Sequence, residues 1–387
     1  MNINLFNGEV FSYDKKEENT VQMSDEEINE KYRRGDVRIV TEQARYPIDS
    51  IENMLDSGKY KLNPEYQRRK RWDTQRKSRL IESFIMNVPL PPIFLYEYEY
   101  SKYEVMDGLQ RLTSIYEFYK NKFALEGLEY WTELNGRHYK DLPIKIKEGI
   151  DRRYISSIVL LEETAKTPEE AEALKQIVFE RLNSGGEKLT PQETRNALYN
   201  GKFNQLCIKL AENDKFKKMW NIESTDNAMY KKMEDVELVL RFFAYRFIEQ
   251  FKHTKEKFFD DYLKKANTFD LVTLKKLENL FNDTIDLTWH IFEKDAFILP
   301  KNKRQNKRPT TVIYDPLMQV FSQYIDNKSA LINKKEEIKN IKTKEIHQAL
   351  ADNGKLLFDG KYDHKPIVIQ RINYFDNKIK DIIKANE

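Results

Sequence analysis

The chain has 387 residues, 66 Lys+Arg against 63 Asp+Glu, and a formal charge of only +3, so no whole-molecule field draws it to nucleic acid and such attraction must come from local patches. Its length calls for two domains, while 40% hydrophobic residues with 22 Tyr and 22 Phe exclude a disordered chain. The one cysteine, Cys207, excludes an internal disulfide and a cysteine zinc site; together with the lack of a leader-like or membrane-length apolar stretch, this predicts a cytoplasmic protein with no membrane partner.

Residues 1–36 read as an N-terminal extension. Met1–Thr20 has no period and reads as a loose arm, and Ser24 before Asp25, Glu26 and Glu27 starts a short polar helix ending near Gly35. Arg38–Thr41 is a candidate strand, and Pro47–Leu55 a short helix with Ile48, Ile51, Met54 and Leu55 on one face. From Thr74 to Met86 a helix turns Leu80, Ile81, Phe84 and Ile85 inward and Arg76, Lys77 and Arg79 toward solvent. Pro89, Pro91 and Pro92 end it, and the strand beginning at Ile93 forms a hairpin with Tyr103–Met106. After the turn at Asp107-Gly108 a helix leaves with Leu112, Ile115 and Tyr119 on its apolar face. A helix over Ile144–Ile150 and a buried strand over Tyr154–Leu161 come next. Thr167-Pro168 and Thr190-Pro191-Gln192-Glu193 then cap two further helices. Beyond Asn200 only amphipathic helices are predicted: Phe203–Ala211, Val236–Phe251, Lys257–Leu263, Leu271–Phe292, Pro316–Tyr324 and Ile367–Ile383. The fold class is therefore α+β over 37–200, followed by an all-helical domain over 201–387.

A strand turning through glycine into a helix presents free backbone N–H groups and the positive end of the helix dipole. Arg111, one turn in, adds a planar fork of donors suited to phosphate, and Asp107 stands where a carboxylate can hold a divalent cation or orient water. The plain alternative is that Asp107 caps the helix, Gly108 makes the turn and Arg111 is solvated. A second signal lies between Lys59 and Arg79, where nine basic residues meet two acidic ones. Within it, Gln67-Arg68-x-x-x-Trp72 sets an arginine and a stacking ring close together, although Trp72 in the core and a solvated basic face would explain the same residues. Lys301–Arg308 is a basic loop, either a phosphate contact or a linker. Five scattered histidines offer no metal-ligand spacing, Cys207 sits on an apolar face, and no phosphate-cradling Gly-x-x-x-x-Gly-Lys-Ser/Thr loop occurs.

Taken together and in order, four motifs carry a resemblance. They are Pro64-x-Tyr66-Gln67-Arg68-x-x-x-Trp72, Ser83-Phe-Ile-x-x-x-Pro89-x-Pro-Pro92, Asp107-Gly108-x-Gln110-Arg111, and Phe179-x-x-Leu182-Asn183-x-Gly-Gly-x-x-Leu189-x-Pro-x-Glu193. Over roughly Arg45 to Asn200 the chain resembles the N-terminal domain of GmrSD-type modification-dependent restriction endonucleases. The resemblance implies a ParB/sulfiredoxin-like fold and an NTP-binding, NTP-hydrolysing module of a restriction or anti-phage defence system acting on or beside DNA. Carried over, it points to Asp107, Gln110 and Arg111 as catalytic and to Arg68, Gly108, Arg111 and Asn183 as nucleotide-binding. The expected cofactors are an NTP and a divalent cation, magnesium by the chemistry of phosphate, held by Asp107. Arg69, Lys70, Arg71 and Trp72 are the expected DNA contacts.

The family signature is Asp-Gly-Gln-Gln-Arg, and this chain has Leu109 at its first glutamine. On a helix Leu109 points away from Gln110, toward Leu112 and the core. The chain also lacks a His-Asn-His nuclease motif, so cleavage implies a separate nuclease subunit. Two other classes stay open: a non-catalytic switch in which nucleotide sets DNA or partner affinity, and a DNA nickase in its own right.

Overall fold

Strands Ile93–Glu99 (β3) and Lys102–Asp107 (β4) form the predicted antiparallel hairpin, with Leu95 and Val105 paired and fully buried. They stand in a computed structural model that describes residues 4–12, 23–34, 39–62, 72–161, 167–182, 189–299, 308–360 and 363–384. The chain divides into two compact units: Lys16–Leu189, and Met1–Lys15 with Thr190–Glu387.

The first unit is α+β. Helix α1 (Asp25–Arg34) is capped as expected, with Ser24 and Glu27 exchanging backbone N–H bonds. Its sheet adds β1 (Thr41–Pro47), the two-residue β2 (Tyr60–Lys61) and β5 (Tyr154–Leu160), in the order β1-β5-β3-β4-β2. β1/β5 and β3/β4 are antiparallel, while β5/β3 and β2/β4 are parallel. The first strand therefore starts where the expected one ended. Thr41-Glu-Gln-Ala-Arg is a sheet edge and shows no alternation of apolar residues for a sequence reading to catch.

Alternation within the strands gives the sheet two unlike faces. Ile93, Leu95, Val105, Ile155 and Val159 face the core, together with residues of α2 (Ile51–Asp56), α3 (Thr74–Met86), α4 (Leu109–Tyr119) and α5 (Ile144–Asp151). On the other face, α6 (Pro168–Leu182) pairs Lys175 with Glu104 at 2.5 Å and sets the same ammonium over the Tyr96 ring. Lys77, expected in solvent, instead reaches from α3 to Glu117 on α4 at 2.6 Å, and both are largely buried. Opposite charges that close one helix pair are not told from a solvated face by spacing alone.

The second unit is helical, and no strand occurs among its described residues. The capping box of Thr190 and Glu193 starts α7 (Pro191–Leu198). This helix packs in the helical unit: Arg195, fully buried, binds Glu237 at 2.8 Å and Asp260 at 2.7 Å. Then come α8 (Lys202–Ala211), α9 (Asp214–Met219), α10 (Ala228–Lys231), α11 (Glu234–Ala244), α12 (Lys255–Ala266), α13 (Leu271–Phe292), α14 (Thr311–Phe321), α15 (Lys328–Asn333), α16 (Lys335–Thr343) and α17 (Lys365–Lys384). Cys207 is buried on α8, and desolvation pushes its thiol well up. The stretch read as a loose arm is partly core: Glu9 forms a buried pair with Arg246 at 2.6 Å, and Phe11 packs edge-on against Phe247, Phe258 and Tyr262. Among the described residues no helix is long and apolar enough to cross a membrane.

Lys342 on α16 is a measurable anomaly. Its ammonium is buried against the Phe292 ring and donates to the Asp295 carbonyl, and desolvation lowers it to about 7. In the unfolded chain the amine titrates near ~10.4, so between those values the unfolded state binds more protons and stability rises with pH. Below about 7 both states carry the proton and the dependence vanishes. Replacing Lys342→Met should raise the melting temperature at pH 6–7 and flatten the rise in melting temperature from pH 7 to 10. A variant that melts lower throughout, with the rise intact, would place the charge elsewhere.

Candidate functional site

β4 ends one residue before a corner. Its pairing with β3 shifts between Val105–Leu95 and Asp107–Phe94, leaving Met106 as the extra residue of a bulge. Such an insertion bends the strand and re-aims the residues beyond it. Gly108 then takes φ +95° as the N-cap of α4, a conformation that costs other residues strain. Space demands glycine as well, since a Cβ would run into the Ile93 side chain, 2.9 Å from its own Cβ. No side chain caps this helix among the described residues, so its first N–H groups have no side-chain acceptor there and its positive dipole end lies at the corner.

Asp107 is therefore not the cap. Its carboxylate accepts from Arg111 Nη2 at 2.8 Å, one turn along, and the Asp107 side chain is half exposed whereas that of Arg111 is 12% exposed. The same guanidinium donates through Nη2 to the Pro92 carbonyl at 3.2 Å and through Nη1 to that of Pro91. Of its five N–H groups, at most two, on Nε and Nη1, are then left for a ligand. Burial lowers the Arg111 guanidinium from its ordinary value, and the Asp107 carboxylate acts in the opposite sense. Gln110 turns to another segment: its Oε1 accepts the Trp72 backbone N–H at 3.1 Å. Trp72 itself is half-buried against the core, with the Arg76 guanidinium 4.8 Å from its ring centre.

Asp107, Gly108, Gln110, Arg111 and Trp72 thus gather at one corner. Arg68, Arg69, Lys70 and Arg71 lie in 63–71 and Asn183 in 183–188, outside the described residues. Sequence reasoning missed the Pro91 and Pro92 carbonyls and the Trp72 amide, because backbone acceptors and donors carry no residue-type signal. The proline pair was visible only as a helix stop. Among the described residues no group of three or more His, Cys, Asp or Glu could hold a metal. The single Asp107 carboxylate, with one oxygen on Arg111, fits a divalent ion held mainly by phosphate and water rather than an all-protein cage.

Leu109 is 6% exposed and belongs to the core cluster with Leu112 and Ile115. Restoring the family residue by Leu109→Gln should therefore lower stability by about 1–3 kcal/mol for an unpaired buried amide, with no gain in NTP turnover. Unchanged melting together with faster turnover would put position 109 in the site.

No curated protein and no solved structure matches the chain. The family model of the GmrSD restriction endonuclease N-terminal domain matches residues 51–200, which span α2 to α7 and contain the whole corner. This agrees with the four ordered motifs and, at its C-terminal end, takes in the Thr190 cap and buried Arg195 of the helical unit. Residues 51–200 of this chain belong to the GmrSD restriction endonuclease N-terminal domain family.

Proposed function

We propose that this chain is a nucleotide-binding, NTP-hydrolysing module of a modification-dependent restriction or anti-phage defence system, acting on or beside DNA. The observation that carries the reading is the glycine corner of a GmrSD-family domain: an α4 N-terminus uncapped by any described side chain, beside Asp107 and Arg111. Anionic phosphate suits that position because unpaired N–H groups and the helix dipole both favour negative charge. A ParB/sulfiredoxin-like fold for the α+β unit belongs to the same reading, supported by the family match and the mixed five-stranded sheet.

In this reading the N–H groups of the first turn of α4 bind phosphate, and the two unspent N–H groups of Arg111 add charge-assisted bonds. Asp107 would hold a divalent cation, magnesium by preference, which when bound neutralises charge on the transferring phosphoryl group. Arg68 and Asn183 are assigned to the nucleotide, and Arg69, Lys70, Arg71 and Trp72 to DNA, from the motifs that carry them. A separate nuclease subunit would supply strand cleavage. The second reading, a switch that binds NTP without hydrolysing it, is favoured by one observation: Leu109 is buried, so the signature's first polar side chain is missing from the site.

Purified full-length protein tested against ATP, GTP, CTP and UTP for binding, phosphate release and plasmid nicking separates these readings. Turnover supports the hydrolase, tight binding without release supports the switch, and nicking without nucleotide supports the nickase. Arg111→Ala should weaken NTP affinity at least about tenfold, near 1.4 kcal/mol. Asp107→Asn should spare binding more than turnover. Wild-type affinity in a folded Arg111→Ala protein would remove the guanidinium from the site and leave it as the tie on Pro91 and Pro92.

A further inference from the structure

The N-terminal arm belongs to the helical unit, although residues 16–189, which follow it in sequence, form the other unit. Over residues 4–12 only Glu9 and Phe11 are buried, Phe6 is half-buried, and the rest are exposed. A stretch that buries two or three anchors and leaves the remainder in water has the anatomy of a bound peptide. Its backbone is shaped by a turn: the Glu9 N–H donates to the Phe6 carbonyl at 2.9 Å, and Gly8 takes φ +98° at the third position. The Glu9 carboxylate closes the same turn by accepting the Phe6 N–H at 3.1 Å.

The receiving surface is built from the 3-10 turn Tyr245–Gln250, α12 and the first turn of α13. Arg246 grips both Glu9 oxygens, from Nε at 2.6 Å and Nη2 at 2.9 Å, and Nη2 also donates to the Asn4 carbonyl at 2.8 Å. Phe247, Phe258 and Tyr262 meet the Phe11 ring edge-on, with centroids 5.5–5.9 Å away. The Thr273 hydroxyl donates to the Asn7 carbonyl at 3.5 Å. One contrast marks this surface out. Arg195 and Arg241 meet carboxylates of α11, α12 and α14, whereas every hydrogen bond of Arg246 among the described residues goes to the arm.

We propose that this surface is a peptide-recognition site for an acidic, aromatic segment of the form Phe-x-Gly-Glu-x-Phe, filled by the chain's own N-terminal arm as a dissociable ligand. Each fixed position has a physical reason. Glu9 satisfies the Arg246 fork with two parallel bonds. Gly8 is required by its positive φ and by space, since a Cβ would stand 2.5 Å from Thr273 Oγ1. Phe11 enters an aromatic lining, where edge-on rings add to the gain from area burial, and Phe6 lies 5.6 Å from the Arg246 guanidinium. Val10 between them is exposed and selects nothing. Because the arm lies at the surface, its departure opens Arg246 to water and does not strand a buried charge. Covalent attachment makes filling intramolecular, so the intact chain excludes a competing peptide.

The test severs the arm after folding. A protease recognition sequence is inserted in the full chain between Lys16 and Glu17, within 13–22 and outside the described residues. The native protein is then cut, and a fluorescent peptide of Met1–Lys16 is offered in exchange. The cut chain should keep its helical circular dichroism and take up the labelled peptide saturably. Unlabelled Glu9→Gln peptide should compete at least about tenfold more weakly than the wild-type peptide, near 1.4 kcal/mol, and Val10→Ser peptide within about twofold of it. A second variant needs no cleavage: Gly8→Val in the uncut chain prevents seating, so it should bind labelled peptide that the uncut wild type excludes. The proposal is overturned by an arm that cannot be exchanged, by a cut chain that unfolds as the arm leaves, or by equal competition from the Glu9→Gln peptide. A Gly8→Val chain that fails to fold overturns it too, by making the arm part of the core, as does one that folds and refuses the peptide. An uncut wild type that elutes as a dimer and becomes monomeric in excess peptide would place the arm on a second copy and overturn its assignment to its own chain.

Discussion

The direction in which α4 leaves the sheet is set by contact between Gly108 and Ile93, and the candidate site depends on that contact. Ile93 opens β3, pairs with Ser157 of β5 and is fully buried, so the surface against which Gly108 packs cannot retreat. Arg111 secures the same meeting of segments from the other side, because the Pro91 and Pro92 carbonyls it binds immediately precede Ile93. The start of β3 and the end of β4 are thus fastened twice, once by close packing at a residue without a Cβ and once by a guanidinium. Under the proposed phosphate-binding reading, preorganisation of this kind would hold the helix-start donors at a fixed angle.

The legible part of the fold was local. The hairpin, the start of α4 at Gly108, the full span of α13 and the inward direction of Leu109 all come from spacing and turn chemistry within a few residues. The illegible part depended on partners far along the chain or on main-chain groups. Nothing near Glu9 announces a buried arginine 237 residues away, so a short segment with no period read as a loose arm. The polar edge strand β1 began later than expected because one of its edges has no partner strand to enforce alternation. In the site, residue types found the turn, but the roles of Gln110 and Arg111 are set by carbonyls and an amide that any sequence would supply there.

The helical unit is held by buried ionic groups to an unusual degree. Arg195, Arg241 and Arg246 each lie within a few per cent of full burial, and each meets at least one carboxylate within 2.8 Å. Arg241 binds Asp315 through two nitrogens, which fixes α11 against α14 in one rotation. Such pairs contribute little net stability over apolar residues of similar size, but losing one partner strands a buried charge. They therefore penalise alternative helix registers strongly. Arg195 extends the same logic to α7, so the last helix of the family-matched stretch is anchored by charge in the helical unit.

The Asp107–Arg111 pair sets a condition on any nucleotide reading of the corner. A phosphate at the start of α4 gains from the dipole and from Arg111 but stands close to the half-exposed Asp107 carboxylate. Like charges a few ångströms apart at a partly buried site repel by energies comparable to a helix dipole's attraction, about 1 kcal/mol or more. Either Arg111 leaves Asp107 for the phosphate, or a cation stands between the two anions. The first option breaks a bond that belongs to the same guanidinium fork as the Pro91 and Pro92 ties, and so disturbs the corner that creates the site. The second leaves all three ties in place and uses the carboxylate's other oxygen. Under the proposed nucleotide reading, a metal–nucleotide complex would therefore fit this corner with fewer broken ties than a bare nucleotide, and Asp107 would be the group that meets the cation.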